Sequence, residues 1–576
     1  MLKYNLKLFI FILIFFYANI SAAQFFPPKN YPRDYFEWPV IATKGYVANF
    51  GELRPNHYHM GYDCRTDQVQ NKKIIAAADG YIAKVKIEPF GFGQAIYINH
   101  PNGLTTLYAH LNRFYPALEK YVKEQQYAQK KWVVFLDIPS DLFPVKKGDT
   151  IALSGSTGGS QGPHLHFEIR DTKTDKVLNP SLFNFQIPDS IAPDIFKLAV
   201  YDRRFSTYEQ TAKTYPLKKI NGVYVTVPQV IITNTDKVSF GITTSDRYTG
   251  SSNRNGVYET VLYENDNPVV GFQLDSISYD ETRYLNAHID YKLRSSGGGF
   301  IEHVSKLPGY NSSVYKTTNG DGAIAINDTN VHAIKIEVKD ANGNTSLLKF
   351  DIKRNTNFTE PQKQFPASYY QSQVFHPGFI NVFENESIRF YLPANCLYDS
   401  IHFQYSESTP KQGYTIYQLH NTSVPLQSYF PVTIKAAIAL PGKAVMHRFA
   451  NGKHDYAKAE PVMNGKETGW YKASFREFGS FQLMIDTIPP VINPIGFKNG
   501  MNCSKQSRIV FAVSDNTEEI KFTAMLDGNW LRFSNDKARR FIYDFDEMCP
   551  AGEHELKIIA EDQVGNVSEK VYKFTR

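Results

Sequence analysis

Three short stretches of this 576-residue chain carry side chains that could hold a metal ion and move protons. The first, GPHLHFEIR at 162–170, sets two histidines one residue apart inside an apolar run. On an extended strand, positions i and i+2 project to the same face. His164, His166 and Glu168 then share one face, and Leu165, Phe167 and Ile169 share the other. A core strand has no use for two neighbouring imidazoles. The second stretch, HYHMGYD at 57–63, places His59 and Asp63 four apart with Gly61 between them, and the third supplies His110 in YAHL. Zinc accepts imidazole nitrogen and carboxylate oxygen, and a catalytic site needs three protein ligands plus one open position. His59, Asp63 and one histidine of the HLH pair make such a set. The other histidine and His110 remain to handle protons, and zinc lowers the pKa of bound water to about 7.

The neighbouring residues have plainer readings. His57 lies in a loop as a groove-edge or surface residue, and His100 sits structurally at a hairpin turn. Cys64 follows Asp63, so on an extended chain it points away from the metal. Glu168 is either a partner that orients an imidazole or an ordinary surface or structural carboxylate. The Gly-rich SGSTGGSQGP at 154–163 lacks the Gly-Lys-Ser/Thr ending of a phosphate loop and reads as a flexible groove wall.

Short strands broken by turns must position these residues across 73–170. AIYINHPNGLTTLYAHL (95–111) has the pattern of a hairpin, with Asn102-Gly103 at its turn. VKKGDTIALSG (145–155) places a second turn at Lys147-Gly148. Between them, ALEKYVKEQQYAQKK (117–131) has helix formers and no Gly or Pro, which predicts a surface helix inserted into a strand-rich pattern.

The ordered string FGELRP, HMGYD, AAADGYIAKV, YINHPNGLTTLYAHL and VKKGDTIALSGSTGGSQGPHLHFEIRD resembles the lysostaphin/LytM-type zinc endopeptidases of peptidoglycan, in the LAS group. The resemblance spans about residues 45–185, a quarter of the chain. It implies a small antiparallel β-sheet groove with one zinc ion on its floor. It also implies His59, Asp63 and His166 as metal ligands, and His110 and His164 as catalytic histidines. One departure is an insert at about 114–144, longer than the usual connection. Its apolar WVVFL (132–136) should pack down on the sheet, with the polar helix either as a groove rim or cover or as a decoration far from the groove.

Composition favours a mainly β chain, since Phe and Tyr number 41 and 37. The first 23 residues read as a secretory signal: Lys3 and Lys7 precede an apolar run, and Ser21-Ala22-Ala23 offers a cleavage site. The formal charge of +6 is spread along the chain, with no basic block that suggests nucleic acid. The expected order is a signal peptide (1–23), a linker (24–44), a zinc metallopeptidase domain (45–186), an immunoglobulin-like module (187–354), a β module of unclear type (355–485) and an immunoglobulin-like β-sandwich (486–576). A weak repeat supports the two immunoglobulin-like assignments. DSIAPDI, VSFGITTSD and VKDANGN of the first copy match DTIPPVI, IVFAVSD and AEDQVGN of the second, in the same order. Cys503 and Cys549 share the last module, and in an exported protein they are expected to form a disulfide.

The leading expectation is an exported zinc endopeptidase acting on peptidoglycan peptide stems in the periplasm, cell envelope or extracellular space. No membrane span is expected after signal cleavage, and the β modules could meet envelope proteins or glycans. Two alternatives are a non-catalytic LytM-like regulator of wall hydrolases and an envelope adhesion or binding protein. The complete ligand set argues against the first. No binding signature identifies a ligand for the second.

Overall fold

A computed structural model describes residues 24–355, 372–411, 413–463, 468–517, 519–537 and 539–576. The expected signal peptide lies outside the described residues. Strands dominate throughout, as the aromatic and β-branched composition requires. Among the described residues, no helix is long and apolar enough to cross a membrane.

The N-terminal unit is built on one antiparallel sheet. In chain order its elements are β1 (Tyr46–Ala48), β2 (Tyr62–Arg65), β3 (Lys73–Ile75), β4 (Gly80–Ile87), β5 (Gln94–Asn99), β6 (Leu104–Ala109), β7 (Leu111–Phe114), α1 (Pro116–Gln129), β8 (Val134–Asp137), β9 (Thr150–Ser154) and β10 (His164–Asp171). The strands of the main sheet run β1-β2-β10-β6-β5-β4-β8, and β3-β9-β7 form a smaller sheet. The β5–β6 hairpin turns at Asn102-Gly103, where Gly103 has φ 80°. The inward residues of β10, Leu165, Phe167 and Ile169, are fully buried with Tyr62, Cys64 and Tyr108 in one apolar core.

The insert forms as its pattern predicts, and its helix also meets a distant part of the chain. Val134 and Leu136 of β8 are buried as the strand extends the sheet edge along β4. Helix α1 turns Leu118, Val122 and Gln126 inward. Its outward residues meet the far C-terminal part of the chain: Lys123 pairs with Asp546 and Glu547, each at 2.7 Å, and Tyr127 packs edge-on against Trp530. Segment 24–44 is not a free linker. Its aromatic residues have apolar area to bury, and Phe36, Trp38 and Val40 join the core of this unit.

Beyond residue 187, the chain forms an 11-stranded sheet between Asp194 and Arg354, two five-stranded sheets between Asn381 and Ile485, and a four- and a five-stranded sheet between Val491 and Thr575. One apolar cluster takes in Phe50, Tyr58, Met60 and Val177 of the N-terminal unit and continues from Ile195 to Leu483, so the middle two units share a core that also reaches the first. The last two sheets enclose their own core as a β-sandwich. Cys503 and Cys549 both lie in that core, but as free, buried thiols. The expected disulfide is not formed; the two side chains pack there as small apolar groups.

Candidate metal centre

Strand register brings the distant motifs together. On β10, His166 lies opposite Asp63 of β2 on one side and Ala109 of β6 on the other. The glycine of the H-x-G-x-D stretch permits this approach: a Cβ on Gly61 would lie 2.3 Å from the Phe167 carbonyl oxygen. His110 follows β6 directly, with φ 61°, a left-handed backbone that non-glycine residues rarely adopt. That turn separates β6 from β7 and sets the imidazole beside β10.

His59, Asp63 and His166 are buried and converge on a small triangle. His59 Nε2 and His166 Nδ1 stand 2.9 and 3.0 Å from Asp63 Oδ1, and 3.1 Å from each other. The outer ring nitrogens are already committed. His59 Nδ1 donates to the Asn49 carbonyl at 2.7 Å, and His166 Nε2 donates to Glu168 at 2.9 Å. In the neutral imidazoles these bonds leave two nitrogen lone pairs and a carboxylate oxygen facing one point. Three acceptors in contact need a cation among them. Two imidazoles and a carboxylate match the preferences of zinc, whose bonds to such atoms are about 2.0–2.2 Å. The donor set fits that ion.

Electrostatics lead to the same conclusion. Burial opposes charge on Asp63, but His59, His164 and His166 hold it well below the usual carboxylate range. Burial also opposes charge on His166, yet Asp63 and Glu168 raise it to about 9. In the metal-free chain, a proton there supplies the positive charge that the triangle demands.

Two more histidines flank the triangle. His164 Nε2 is 3.4 Å from Asp63 Oδ1, and its Nδ1 donates to the Gly162 carbonyl at 2.9 Å. His110 Nδ1 donates to the Thr157 carbonyl at 2.8 Å, and its ring lies 4.8 Å from that of His164. Burial, then the nearby His166 and His164, push His110 down to about 3, so it is neutral at pH 7 with Nε2 free. Both carbonyls belong to the Gly-rich 154–163 segment, which therefore orients the two imidazoles.

The remaining sequence readings separate cleanly. Glu168 is fully buried, takes the His166 bond and receives Arg170 Nε at 2.7 Å, so it is no surface carboxylate. His57 is exposed and bonded to its own loop through Pro55. His100 is buried with both nitrogens bonded, to the Asp79 carbonyl and Thr106, each at 2.8 Å. Cys64 faces the core. The sequence reading missed Tyr279, whose hydroxyl donates to Glu168 and whose ring lies 5.0 Å from the Arg170 guanidinium. It arrives because Val177–Leu178 pairs with Ser276–Ile277 and carries the sheet into the next unit.

Comparison with known families finds a match over this region. The model of peptidase family M23 matches residues 57–131 and 143–180, which include all five of these residues. The chain carries an M23 peptidase domain. The unmatched gap, 132–142, takes in β8 of the insert. A second model, a Zu5-like domain, matches residues 372–486. Over 172 residues the chain is 33% identical to the DD-carboxypeptidase/endopeptidase Mpg of Neisseria meningitidis serogroup B, covering 30% of this chain and 31% of that one. Over 96 residues it is 35% identical to the peptidoglycan DD-endopeptidase ShyC of Vibrio cholerae serotype O1, covering 17% of each. The chain thus spans about a third or less of the length of these relatives. Among solved structures, the catalytic domain of lysostaphin from Staphylococcus simulans is 23% identical, covers 24% of this chain and 89% of its own, and has a TM-score of 0.18. The M23 family is one of metallopeptidases, in keeping with the donor triangle.

Proposed function

We propose that the chain is an exported zinc endopeptidase that hydrolyses peptide cross-links of bacterial peptidoglycan. The observation that carries this reading is the triangle of His59 Nε2, Asp63 Oδ1 and His166 Nδ1, whose outer nitrogens are occupied and whose inner lone pairs await a cation. His59, Asp63 and His166 would hold one zinc ion per chain. When bound, zinc supplies Lewis acidity and lowers the pKa of water to about 7.

The chain's own groups do the rest. His110 and His164 are held by the Thr157 and Gly162 carbonyls, and His164 Nε2 faces Asp63 Oδ1 at 3.4 Å. With Nδ1–H committed to a carbonyl, each Nε2 can first accept a proton, as from the attacking water, and then donate it to the oxygen that gains charge or pass it to the leaving amine. Neutral His110 holds no charge that would repel the cation. Glu168 fixes the ring of His166 and keeps its Nδ1 lone pair directed inward.

The substrate assignment draws on the relatives' names, two of which specify a DD-endopeptidase or DD-carboxypeptidase. They favour the link between D-alanine and a diamino acid over a glycine bridge. We further propose the expected module boundaries from residue 187 onward, with the β modules serving to place the peptidase domain at the envelope. The test is mass spectrometry of fragments released from purified sacculi. The parent chain should release uncross-linked stems, and the zinc-loaded His110→Ala variant should not. No release by the zinc-loaded parent would overturn the reading.

A further inference from the structure

Two groups of three aspartates lie outside the peptidase site: Asp189, Asp246 and Asp340, then Asp486, Asp515 and Asp562. Within each group, one carboxylate oxygen per residue lies within 4.8 Å of the other two. They occupy matching positions of the internal repeat, at DSIAPDI and DTIPPVI, at the ends of VSFGITTSD and IVFAVSD, and in VKDANGN and AEDQVGN. Their supports match as well. Asn344 Nδ2 holds Asp340 Oδ2 at 2.7 Å, and Asn566 Nδ2 holds Asp562 Oδ2 at 2.7 Å. The Ile191 and Ile488 amides hold Asp189 and Asp486 at 3.0 and 3.1 Å.

What points to a ligand is the polarity left unanswered. Asp246 is 6% exposed, yet its Oδ1 has no hydrogen-bond partner, and the half-buried Asp515 has one shielded oxygen, Oδ1, that is also unpartnered. Asn255, 4% exposed, is bridged directly opposite Asp246, and both polar atoms of its side-chain amide lack partners. Directly opposed residues share a face, so this amide stands on the Asp246 side. Among the described residues, no lysine or arginine forms an ion pair with any of the six carboxylates. Lys29 and Arg33 line the cavity beside the first triad, but Lys29 pairs with Asp275 instead. Buried charges without partners are rare in stable proteins unless they bind metal. In the metal-free chain, burial, followed by Asp340, Asp189 and Asp194, raises Asp246 to about 7.

The all-oxygen donors select a hard cation. Compact carboxylates, joined at the first triad by the Asn255 amide oxygen, suit calcium, which accepts irregular sets of 6–8 oxygens, better than magnesium, which demands a near-ideal octahedron. Each triad also lies at a junction. The first lines a cavity of 330 Å³ together with Tyr46, Asn49 and Tyr62 of the peptidase domain. Beside the second, Lys443 Nζ reaches the Val564 carbonyl at 3.0 Å, and the Lys458 amide reaches Gln563 Oε1 at 2.9 Å.

We propose that each triad is a calcium site, and that the two ions clamp the junction between the peptidase domain and the following module and the junction in front of the last sandwich. The site is independent of the peptidase centre and takes a different class of metal.

Calorimetric titration of the chelator-stripped, zinc-reloaded full-length chain with calcium chloride tests this directly. Two ions should bind per chain, with affinities in the range of extracellular modules, about 10⁻⁴–10⁻³ M. Asp246→Asn and Asp515→Asn should each remove one ion, the double variant should bind none, and zinc content should stay unchanged in all of them. Calcium should also raise the unfolding temperature of the parent chain, a readout that needs no variant. No heat and no thermal shift up to 10 times the upper end of that range, or unchanged stoichiometry in a folded double variant, would overturn the proposal. An equal thermal shift with magnesium chloride would overturn the assignment to calcium.

Discussion

Tyr279 donates its hydroxyl hydrogen to Glu168, a residue 111 positions earlier that is itself the acceptor for His166 Nε2. A residue of the second module thus finishes the hydrogen-bond shell of a proposed metal ligand in the first. Partners of this kind commonly change metal affinity or activity by about 10–100-fold when removed. Glu168→Gln should weaken zinc binding within that range, and Tyr279→Phe by a smaller factor in the same direction. Competition with a chromophoric chelator measures both. Parent-like zinc affinity in both variants would separate the second module from the metal site.

The geometry divides the five proposed site residues into two classes. Asp63→Ala or His166→Ala breaks the donor triangle, so zinc should be lost on dialysis. His110→Ala and His164→Ala leave the triangle intact and should retain about one zinc per chain while losing turnover by about 10²–10⁴-fold. Elemental analysis beside a cleavage assay reads the two classes separately. Loss of zinc from His110→Ala to the same extent as from His166→Ala would refute the division.

Much of this site was legible because its signals are local. The i, i+2 alternation of β10 predicts which face carries His164 and His166, and the structure buries Leu165, Phe167 and Ile169 on the other. The helix predicted over 117–131 is observed at Pro116–Gln129 because its residue types favour that period. Tyr279 carried no such signal, since its role depends on a strand pairing between units. The aspartate triads show an intermediate case. The repeat that contains them is visible in the sequence, but only the sandwich folds Asp189, Asp246 and Asp340 to one end. Segment 24–44 is expected as a linker, whereas its aromatic residues decide its fate by packing.

The last sandwich touches the groove segment as well as the insert. Lys537 Nζ donates to the Ser160 carbonyl, and Ser160 Oγ lies 3.3 Å from His164 Nδ1. Arg532 reaches Gln126 of α1 at 2.9 Å, beside the Lys123 pairs. Ion pairs at an exposed contact are individually weak, about 0–1 kcal/mol, and are screened by salt. The docking should therefore yield to a charge reversal. Lys123→Glu should increase the radius of gyration in small-angle scattering, and Lys537→Ala should lower turnover several-fold with zinc unchanged. Replacement of 114–144 by a short turn should reproduce the first effect and slow cleavage of sacculi more than of a short cross-linked peptide. Unaltered scattering and kinetics across these variants would leave the contact without a functional role.

His303 supplies a pH dependence away from the metal. Its ring is fully buried, 4.9 Å from that of Tyr201, and burial, then Arg203 and His288, push its pKa from 6.5 to about 3. Glu302, the neighbouring acid, is directed to His288 instead, at 3.4 Å. The folded pKa is depressed, so the unfolded chain binds the extra proton between these values. The stability associated with neutral His303 is complete above pH 6.5 and falls as the pH drops toward 3. At pH 5 the 1.5-unit gap from 6.5 corresponds to roughly 2 kcal/mol. Denaturant unfolding of the parent and of His303→Leu at pH 7.5 and pH 5 isolates this contribution from the carboxylates common to both. The parent should lose more stability than the variant over that interval, by about this amount, and equal losses would show that His303 does not titrate on unfolding.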